Sequence, residues 1–309
     1  MNEEQKKQFY IKLLRRQLLN QKKQINRKKI GIRKPNLRPN LRPNLRPNLR
    51  PKMRPNMRPN TTNPQLINAA KTAISVAYPT KPHYNNIIPL NIFQTWHSKQ
   101  LPHMMFKNTE FIKQSNPAFN YMLFDDNDCR EFIKMNFNSD VLTAFDTLIP
   151  GAYKADLWRY CVLYISGGIY IDIKYAPING FKLIALTEKE HWCLDMDNNG
   201  VYNALIVAKP GNAILLQAIN SIVDNVQHRY YGNSCLDPTG PLLLAKMFNS
   251  EQKQAFDMKH TFYVSMKYRF ILFNNYFVFK SYNEYLTEHA QNQKVAHYSI
   301  LWNQRQIYR

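Results

Sequence analysis

The chain has 309 residues, of which 42 are Lys or Arg and 21 are Asp or Glu, giving a formal net charge of +21. The charge is concentrated at one end, because residues 1–60 hold 19 of the basic side chains and only Glu3 and Glu4 among the acidic ones. The composition therefore excludes an evenly basic nucleic-acid-binding domain and restricts such binding to the N-terminal segment.

The number and spacing of the cysteines and the hydropathy of the chain narrow the class of protein further. The four cysteines are far apart and form no CxxC pair, so neither a zinc site nor a dense disulfide framework is expected. The sequence contains no run of about 18 apolar residues, so no transmembrane helix is predicted. The first residues lack the apolar core of a secretory signal. We therefore expect a cytoplasmic or otherwise soluble protein. The cysteines are Cys129, Cys161, Cys193 and Cys235.

We divide the chain into four parts by composition. Residues 1–32 read as a basic helical segment, residues 33–62 as a linker built on an Arg-Pro-Asn-Leu repeat, and residues 63–83 as a connector to a domain over 84–309. Proline at every fourth position of the repeat removes a backbone donor in each turn and disfavours helix, which predicts a disordered, extended spacer. Its arginines are candidates for binding anionic surfaces, and a plain spacer is the alternative.

The domain from residue 84 alternates apolar runs with helical patterns, which predicts an α/β fold with a largely parallel central sheet. The predicted strands are Ile87–Phe93, Tyr121–Phe124, Gly168–Ile173 and Ala204–Ala208, and the predicted helices are Asn127–Met135, Ala152–Ile165, Ala213–His228 and Leu242–Phe248.

The segment 149–175 carries the clearest chemical signal. A mostly apolar helix presents Asp156 and Arg159, three positions apart and therefore on one face. The helix ends at a Gly-Gly pair, and a short apolar strand then delivers Asp172 at its carboxyl end. That edge of an α/β sheet is where such proteins bind ligands. From the residues alone, an intrahelical ion pair between Asp156 and Arg159 remains an equal alternative.

The run A-D-x-x-R-Y-x-x-L-Y-x-x-G-G-I-Y-x-D, ending at Asp172, resembles glycosyltransferases with the DXD sugar-binding region. This family-32-like group includes fungal mannosyltransferases and glucosylating toxins. Further resemblances are the I-P…Q-T-W run at 88–96, the T-G-P at 239–241, and an H…W pair at His297 and Trp302. The resemblance covers residues 85–303 and implies a GT-A-type, Rossmann-like nucleotide-sugar-binding domain.

The resemblance also implies roles for individual residues. Asp156 would bind the donor sugar, Arg159 would lie near the sugar or its phosphate, and Asp172 would bind the ribose or the metal-associated phosphates. Trp96 would stack on the base, with an ordinary core tryptophan as the alternative. Tyr170 would line the ribose side, and simple packing on the strand is the alternative for this residue. The implied catalytic set is Asp156, Arg159, Asp172 and Lys174, and the implied nucleotide-binding set is Gln94, Thr95, Trp96, Tyr170, Gly240, Pro241 and Trp302.

The sequence departs from the family pattern at the second acid of the motif, where Lys174 stands. This changes the local charge by two units beside the place of a divalent cation. Three outcomes follow from this departure. The ammonium replaces the metal, a Mn²⁺ or Mg²⁺ ion persists on Asp172 and His297, or the protein binds its donor without turnover. A second acidic pair, Asp195 and Asp197, is read as a loop near the acceptor.

We therefore expect a hexosyltransferase whose partners are a nucleotide-sugar donor (UDP- or GDP-sugar) and a glycan or protein acceptor. The resemblance implies transfer with retention of configuration. Two alternatives are a non-catalytic nucleotide-sugar-binding protein, and a nucleic-acid or anionic-surface binding protein that acts through the basic tail.

Overall fold

The computed structural model describes residues 74–263 and 268–309. The predictions for 1–32 and 33–62 lie outside the described residues. Nine described strands form one sheet in the order β2-β1-β3-β6-β5-β7-β8-β9-β4. The strands are β1 Asn91–Thr95, β2 Asn120–Phe124, β3 Gly168–Ile171, β4 Tyr175–Pro177, β5 His191–Leu194, β6 Val201–Ala208, β7 Met258–Tyr263, β8 Tyr268–Phe273 and β9 Tyr276–Ser281.

The sheet is mixed. Strands β2, β1 and β3 run parallel to one another, and β5 runs parallel to β7. The other neighbouring pairs are antiparallel, namely β3–β6, β6–β5, β7–β8, β8–β9 and β9–β4. The α/β class is confirmed, and the parallel arrangement is found in the part of the sheet that carries the β1 and β3 motifs. Antiparallel pairs make up most of the rest, because only a few residues separate β7 from β8 and β8 from β9 in the sequence.

Helices cover both faces of the sheet, and each face has its own apolar core. The strongly apolar helix α4 lies in the first core, where its Trp158, Tyr160 and Leu163 are fully buried. The helices are α1 His103–Ser115, α2 Asp126–Asn136, α3 Ser139–Thr147, α4 Gly151–Ser166, α5 Ala213–Gln227, α6 Pro241–Ala245, α7 Ser250–Gln254, α8 Tyr285–Gln291 and α9 Tyr298–Asn303, with a 3-10 turn at Leu183–Leu186.

The turn from α4 into β3 is sterically tight and fixes the end of β3. Gly167 and Gly168 have φ values of 59° and 126°, which side chains rarely tolerate. A Cβ atom on Gly168 would lie 2.7 Å from the main-chain oxygen of Asn91 on β1. The glycines thus let β3 lie directly against β1. Asp172, the residue after β3, donates its amide to the carbonyl of Ala204 and remains in register with β6.

The chain then passes from β3 to β4 within a few residues, although β3 is the third strand of the sheet and β4 is the last. The amide of Tyr175 donates to the carbonyl oxygen of Asp172 (3.0 Å), and the amide of Tyr282, just after β9, donates to the carbonyl of Lys174. The segment 172–174 therefore links the interior strand β3 to the edge strand β4.

Residues 74–83, the described part of the predicted connector, contact the domain. The ring of Tyr78 packs against Phe181, Phe273 and Tyr276, and Asn179 donates to the carbonyl of Ile74. The domain boundary at 84 stays a prediction. Within 74–263 and 268–309, none of the helices combines the length and apolar character that crossing a bilayer requires.

Candidate active site

Asp156 projects from α4 into a buried polar environment, with only 7% of its surface exposed. One carboxylate oxygen, Oδ1, accepts from the side-chain amide of Asn203 at 2.8 Å and lies 3.4 Å from Arg159. The other, Oδ2, accepts from the hydroxyl of Thr239 at 2.7 Å. Each carboxylate oxygen has two acceptor positions, so Oδ2 retains capacity for one further donor.

Gly240 leaves space beside that oxygen. A Cβ atom at this position would lie 3.6 Å from Oδ2 of Asp156 and 3.2 Å from the main-chain oxygen of Leu236. Gly240 is the N-cap residue of α6, and the next residue, Pro241, begins the helix. The predicted Gly240 is therefore brought beside Asp156, with Pro241 next along the chain.

Arg159 is equally buried and connects three parts of the site. Its Nη1 donates to the main-chain oxygen of Asn203 at 2.6 Å and lies 3.4 Å from Asp172. Its guanidinium stacks 4.3 Å from the ring centre of Tyr170. The intrahelical pair with Asp156 is thus present, but Arg159 also reaches across to β3 and β6, beyond what a helix-stabilising pair requires.

Asp172 and Lys174 form the outer part of the cluster. The hydroxyl of Tyr170 donates to one oxygen of Asp172 at 2.8 Å. The ammonium of Lys174 donates to the other oxygen. That ammonium also lies 5.2, 5.6 and 5.8 Å from the ring centres of Tyr175, Tyr202 and Tyr285, within the range of cation–π attraction.

Burial and charge set the protonation states. Burial raises the pKa of Asp156 to about 6, against the opposing effect of Arg159. Burial also favours the neutral form of Asp172, but Lys174 and Arg159 outweigh it and hold the pKa of that carboxyl below its usual range. Burial lowers the pKa of Lys174, with Asp172 opposing. At neutral pH the cluster contains two carboxylates and two cations, so their charges balance.

The predicted base-binding residues lie at the end of β1, beside β3. Gln94 is fully buried and links strands, because its amide donates to the carbonyl of Ile171 and its oxygen accepts from Tyr121. Thr95 donates its hydroxyl to the carbonyl of Phe124. Trp96 is half-buried, and its indole N–H has no hydrogen-bond partner among the described residues. Gln94 and Thr95 are thus engaged within the protein, whereas the ring of Trp96 packs against His97 and His289 with its indole nitrogen buried.

The two residues of the H…W pair near the C-terminus are engaged in contacts within the protein. His297 is exposed, caps α9 and hydrogen-bonds the hydroxyl of Ser299 through Nδ1. Trp302 donates its indole N–H to the carbonyl of Tyr231 at 2.7 Å. The described residues hold no cluster of three or more His, Cys, Asp or Glu side chains suited to a metal. The proposed Asp172–His297 metal pair therefore stays a prediction.

Several residues beside the cluster were not predicted. Asn203 and Thr239 supply the hydrogen bonds that Asp156 requires. Tyr285 from α8 lies over Lys174, and burial, with smaller effects from Cys235 and Asp156, raises the pKa of Tyr298 to about 12. Thr239 belongs to the T-G-P segment, from which only Gly240 and Pro241 were predicted to bind. Asn203, Tyr285 and Tyr298 lie far from Asp156 along the chain and belong to no recognised motif.

The predicted acceptor loop contains a buried acid–imidazole pair. Asp195 follows β5 and contacts Nδ1 of His260 on β7 at 3.0 Å. The ring of His260 stacks on Tyr202 at 3.8 Å, on the strand that also carries Asn203. Gly200, which ends this loop, approaches Pro241. Asp195 thus lies near both Lys174 and the T-G-P segment. Asp197 is exposed in the turn.

The segment that carries the charged cluster matches a known family. Residues 102–190 match the family model described as a glycosyltransferase sugar-binding region containing a DXD motif. The match includes Asp156, Arg159, Asp172 and Lys174, and ends before the T-G-P segment. This region is that of a glycosyltransferase, which confirms the predicted resemblance and the predicted enzyme class.

Relatives with names agree with this class. The chain is 27% identical over 169 residues to inositol phosphoceramide mannosyltransferase 3 of Schizosaccharomyces pombe, covering 54% of this chain and 46% of the relative. It is 31% identical over 91 residues to the initiation-specific alpha-1,6-mannosyltransferase of Candida albicans, covering 28% and 24%. The chain therefore spans about half the length of the first of these relatives.

Among solved structures, the PaToxG glycosyltransferase resembles this chain with a TM-score of 0.42 and 17% sequence identity. The similarity covers 60% of this chain and 75% of that one. The fold class stated above rests on the described sheet itself.

Proposed function

We propose that this chain is a hexosyltransferase that moves a sugar from a UDP- or GDP-sugar to a hydroxyl group of a glycan or protein acceptor, with retention of anomeric configuration. The observation that carries the proposal is the buried cluster of Asp156, Arg159, Asp172 and Lys174 at the carboxyl end of β3. The fission yeast relative is named as a mannosyltransferase, which supports a hexose as the transferred group.

Glycosyl transfer makes two electrostatic demands on a protein. The sugar develops positive charge at its anomeric carbon, and the departing nucleotide diphosphate carries negative charge. Arg159 and Lys174 would offset the charge of the leaving group, and the remaining acceptor position on Asp156 Oδ2 would accept from a sugar hydroxyl. Fixed charges in a buried site stabilise such a transition state more strongly than they would in water.

The resemblance implies retention, and the state of the carboxylates bears on how retention would be achieved. Asp172 already accepts hydrogen bonds from Tyr170 and Lys174, and Asp156 from Asn203 and Thr239. Neither is offered as a free nucleophile for a covalent intermediate. The acceptor hydroxyl would then attack on the face from which the diphosphate leaves, with its proton passing to the leaving phosphate oxygen.

The first experiment is calorimetric titration of the full chain with UDP, GDP and their hexose conjugates. Micromolar binding of one nucleotide family is expected. Asp172→Ala should weaken it at least tenfold, because Lys174 and Tyr170 lose the carboxylate that holds them in position. Asp146→Ala, which removes an aspartate paired with Arg130 at the surface, is the matched control and should bind as the wild type does.

Turnover is then measured as slow hydrolysis of the bound conjugate, with the first-formed anomer of the free sugar identified by NMR. Release of the anomer present in the donor would support retention, and release of the opposite anomer would contradict it. Binding without release, with water or oligosaccharide acceptors, would favour the non-catalytic alternative raised by Lys174. No binding of any nucleotide would overturn the proposed function.

A further inference from the structure

At the D-x-D position of this chain, an aspartate and a lysine side chain are in direct contact. Lys174 donates to Asp172, and three tyrosine rings surround its ammonium group. The side chain of Lys174 is only 12% exposed. A lysine so enclosed has a fixed position, unlike a surface lysine that rotates freely in water.

The residues present do not suit a divalent cation. Mg²⁺ and Mn²⁺ require several oxygen ligands from carboxylates, carbonyls or water. One oxygen of Asp172 accepts from Tyr170 and lies near Arg159, and the other is taken by Lys174. A metal bound there would displace the ammonium and lie beside two positive charges, which costs free energy.

A further cation approaches the same place from the sheet. Arg269 on β8 lies across from Ser281 on β9, because its amide donates to the hydroxyl of Ser281. Ser281 in turn pairs with Tyr175, the residue after Lys174. Arg269 is therefore in the same row of the sheet as Tyr175, and burial together with the charge of Arg269 lowers the pKa of Lys174. The guanidinium of Arg269 lies 5.4 Å from the ring centre of Phe262 on β7, and no described carboxylate forms an ion pair with it.

The balance of charge makes Arg269 significant. Arg159 and Lys174 are matched by Asp156 and Asp172, so these four groups carry no excess charge. A diphosphate adds at least two negative charges to the site. Arg269 supplies a further positive charge that no described carboxylate contacts as an ion pair, and Asp195 is held by His260. The ammonium of Lys174 has three donors, of which Asp172 uses one.

We propose that the donor's diphosphate is bound by Lys174 and Arg269 in place of a divalent cation, with Arg159 behind them. This inference rests on the proposed function and specifies how its leaving group is neutralised. The ammonium and guanidinium donate directly to phosphate oxygens, as charge-assisted hydrogen bonds. Asp172 then serves to position Lys174.

The test compares nucleotide binding with and without metal. UDP and GDP are titrated into the full chain by calorimetry, first in EDTA and then in millimolar Mn²⁺ or Mg²⁺. The expected result is a dissociation constant that changes by less than about threefold. Binding that occurs only with metal would overturn the inference and leave the transferase proposal intact. No binding under either condition would overturn both.

Charge-changing variants separate the lysine from its surroundings. Lys174→Asp restores the acidic pattern and should weaken binding in EDTA at least tenfold, with recovery on adding Mn²⁺. Lys280→Asp is the matched control, because Lys280 lies on β9 and also contacts a tyrosine ring, that of Tyr268. It should bind UDP or GDP in EDTA as the wild type does. Equal losses in both variants would contradict a specific role for Lys174.

Arg269→Gln tests the second cation. It removes this further positive charge and keeps a polar side chain on β8. A loss of about tenfold in nucleotide affinity in EDTA is expected, with thermal unfolding confirming that the variant is folded. Unchanged affinity would remove Arg269 from the proposed site.

Discussion

Arg159 and Asn203 are joined by a 2.6 Å hydrogen bond from the guanidinium to the main-chain oxygen. The side-chain amide of the same asparagine donates to Asp156. One residue of β6 therefore satisfies both members of a buried ion pair that projects from α4. The arrangement matters because a buried charge that loses a hydrogen-bond partner keeps its full desolvation cost.

Asn203→Ala should therefore destabilise the fold. The main-chain oxygen stays, but Asp156 loses one donor, and the free energy of unfolding should fall by about 1–3 kcal/mol. Urea denaturation measures the change. Tyr160→Phe is the control, because it removes longer hydrogen bonds with Asn203 and Thr239 without touching Asp156. A loss in Asn203→Ala no larger than in Tyr160→Phe would contradict this account.

Gly240→Ala should impair donor binding more than stability. The added methyl group would fill the space beside Asp156 Oδ2 and press on the carbonyl of Leu236, while the backbone φ of −95° suits alanine. We expect affinity for the sugar conjugate to fall about tenfold, with affinity for the bare nucleotide retained.

The matched control for this substitution is Gly151→Ala at the start of α4, where a methyl group meets no atom within 4 Å. That variant should bind as the wild type does and be equally or slightly more stable, by up to about 1 kcal/mol. Equal loss of nucleotide and conjugate affinity in Gly240→Ala would indicate general damage to the site instead of a block at the sugar.

Stability should depend on pH in opposite ways at two neighbouring carboxyls. The folded pKa of Asp156 is raised to about 6 by burial. Its protonated form therefore stabilises the fold below about pH 4, and that contribution is lost as the pH rises to 6. The folded pKa of Asp172 is lowered despite burial, by Lys174 and Arg159. Its contribution is present above about pH 4 and is lost at lower pH.

Urea denaturation at pH 4, 5, 6 and 7 distinguishes the two residues. The stability of the wild type relative to Asp156→Asn should fall by about 2–3 kcal/mol over this range. Relative to Asp172→Asn, it should show no such fall. A difference from Asp156→Asn that stays constant with pH would mean that Asp156 does not titrate in this range.

Gly168→Ala should be the most damaging glycine substitution at the site. It combines an unfavourable φ of 126° with a contact of 2.7 Å to the backbone of Asn91. Gly180→Ala shares a positive φ, 72°, but meets no atom within 4 Å, so it isolates the backbone cost of about 1–2 kcal/mol. Thermal unfolding should rank Gly168→Ala well below Gly180→Ala. Equal melting temperatures would show that β3 can move away from β1.

Local signals in the sequence were sufficient for the central part of the site. The helix before Asp172 and the Gly-Gly turn lie where periodicity and capping rules predicted them, and the short strand begins at the predicted Gly168 but ends at Ile171, two residues early. Strand β6 begins three residues earlier than predicted, at Val201, and this extension includes Asn203. The residue that holds the ion pair was thus missed, because a single asparagine among apolar residues carries no distinctive pattern.

The C-terminal strands show a signal that was available but not used. Asn274 and Asn275 both have positive φ values, 49° and 66°, as expected for a two-residue hairpin turn between aromatic runs. Recognising this Asn-Asn turn would have predicted β8 and β9 and placed Arg269 on a strand. Its approach to Lys174 still depends on how the sheet closes, which no local pattern specifies.

The same closure makes the charged motif a mechanical part of the protein. Asp172 belongs to the end of one strand and Lys174 to the start of another that lies at the far edge of the sheet, with one residue between them. Because the amide of Tyr175 closes a turn on the carbonyl of Asp172, a ligand that draws the lysine away from the aspartate must open this turn or shift the edge strand β4 relative to β3. We therefore expect any movement of Lys174 on donor binding to be coupled to movement of β4.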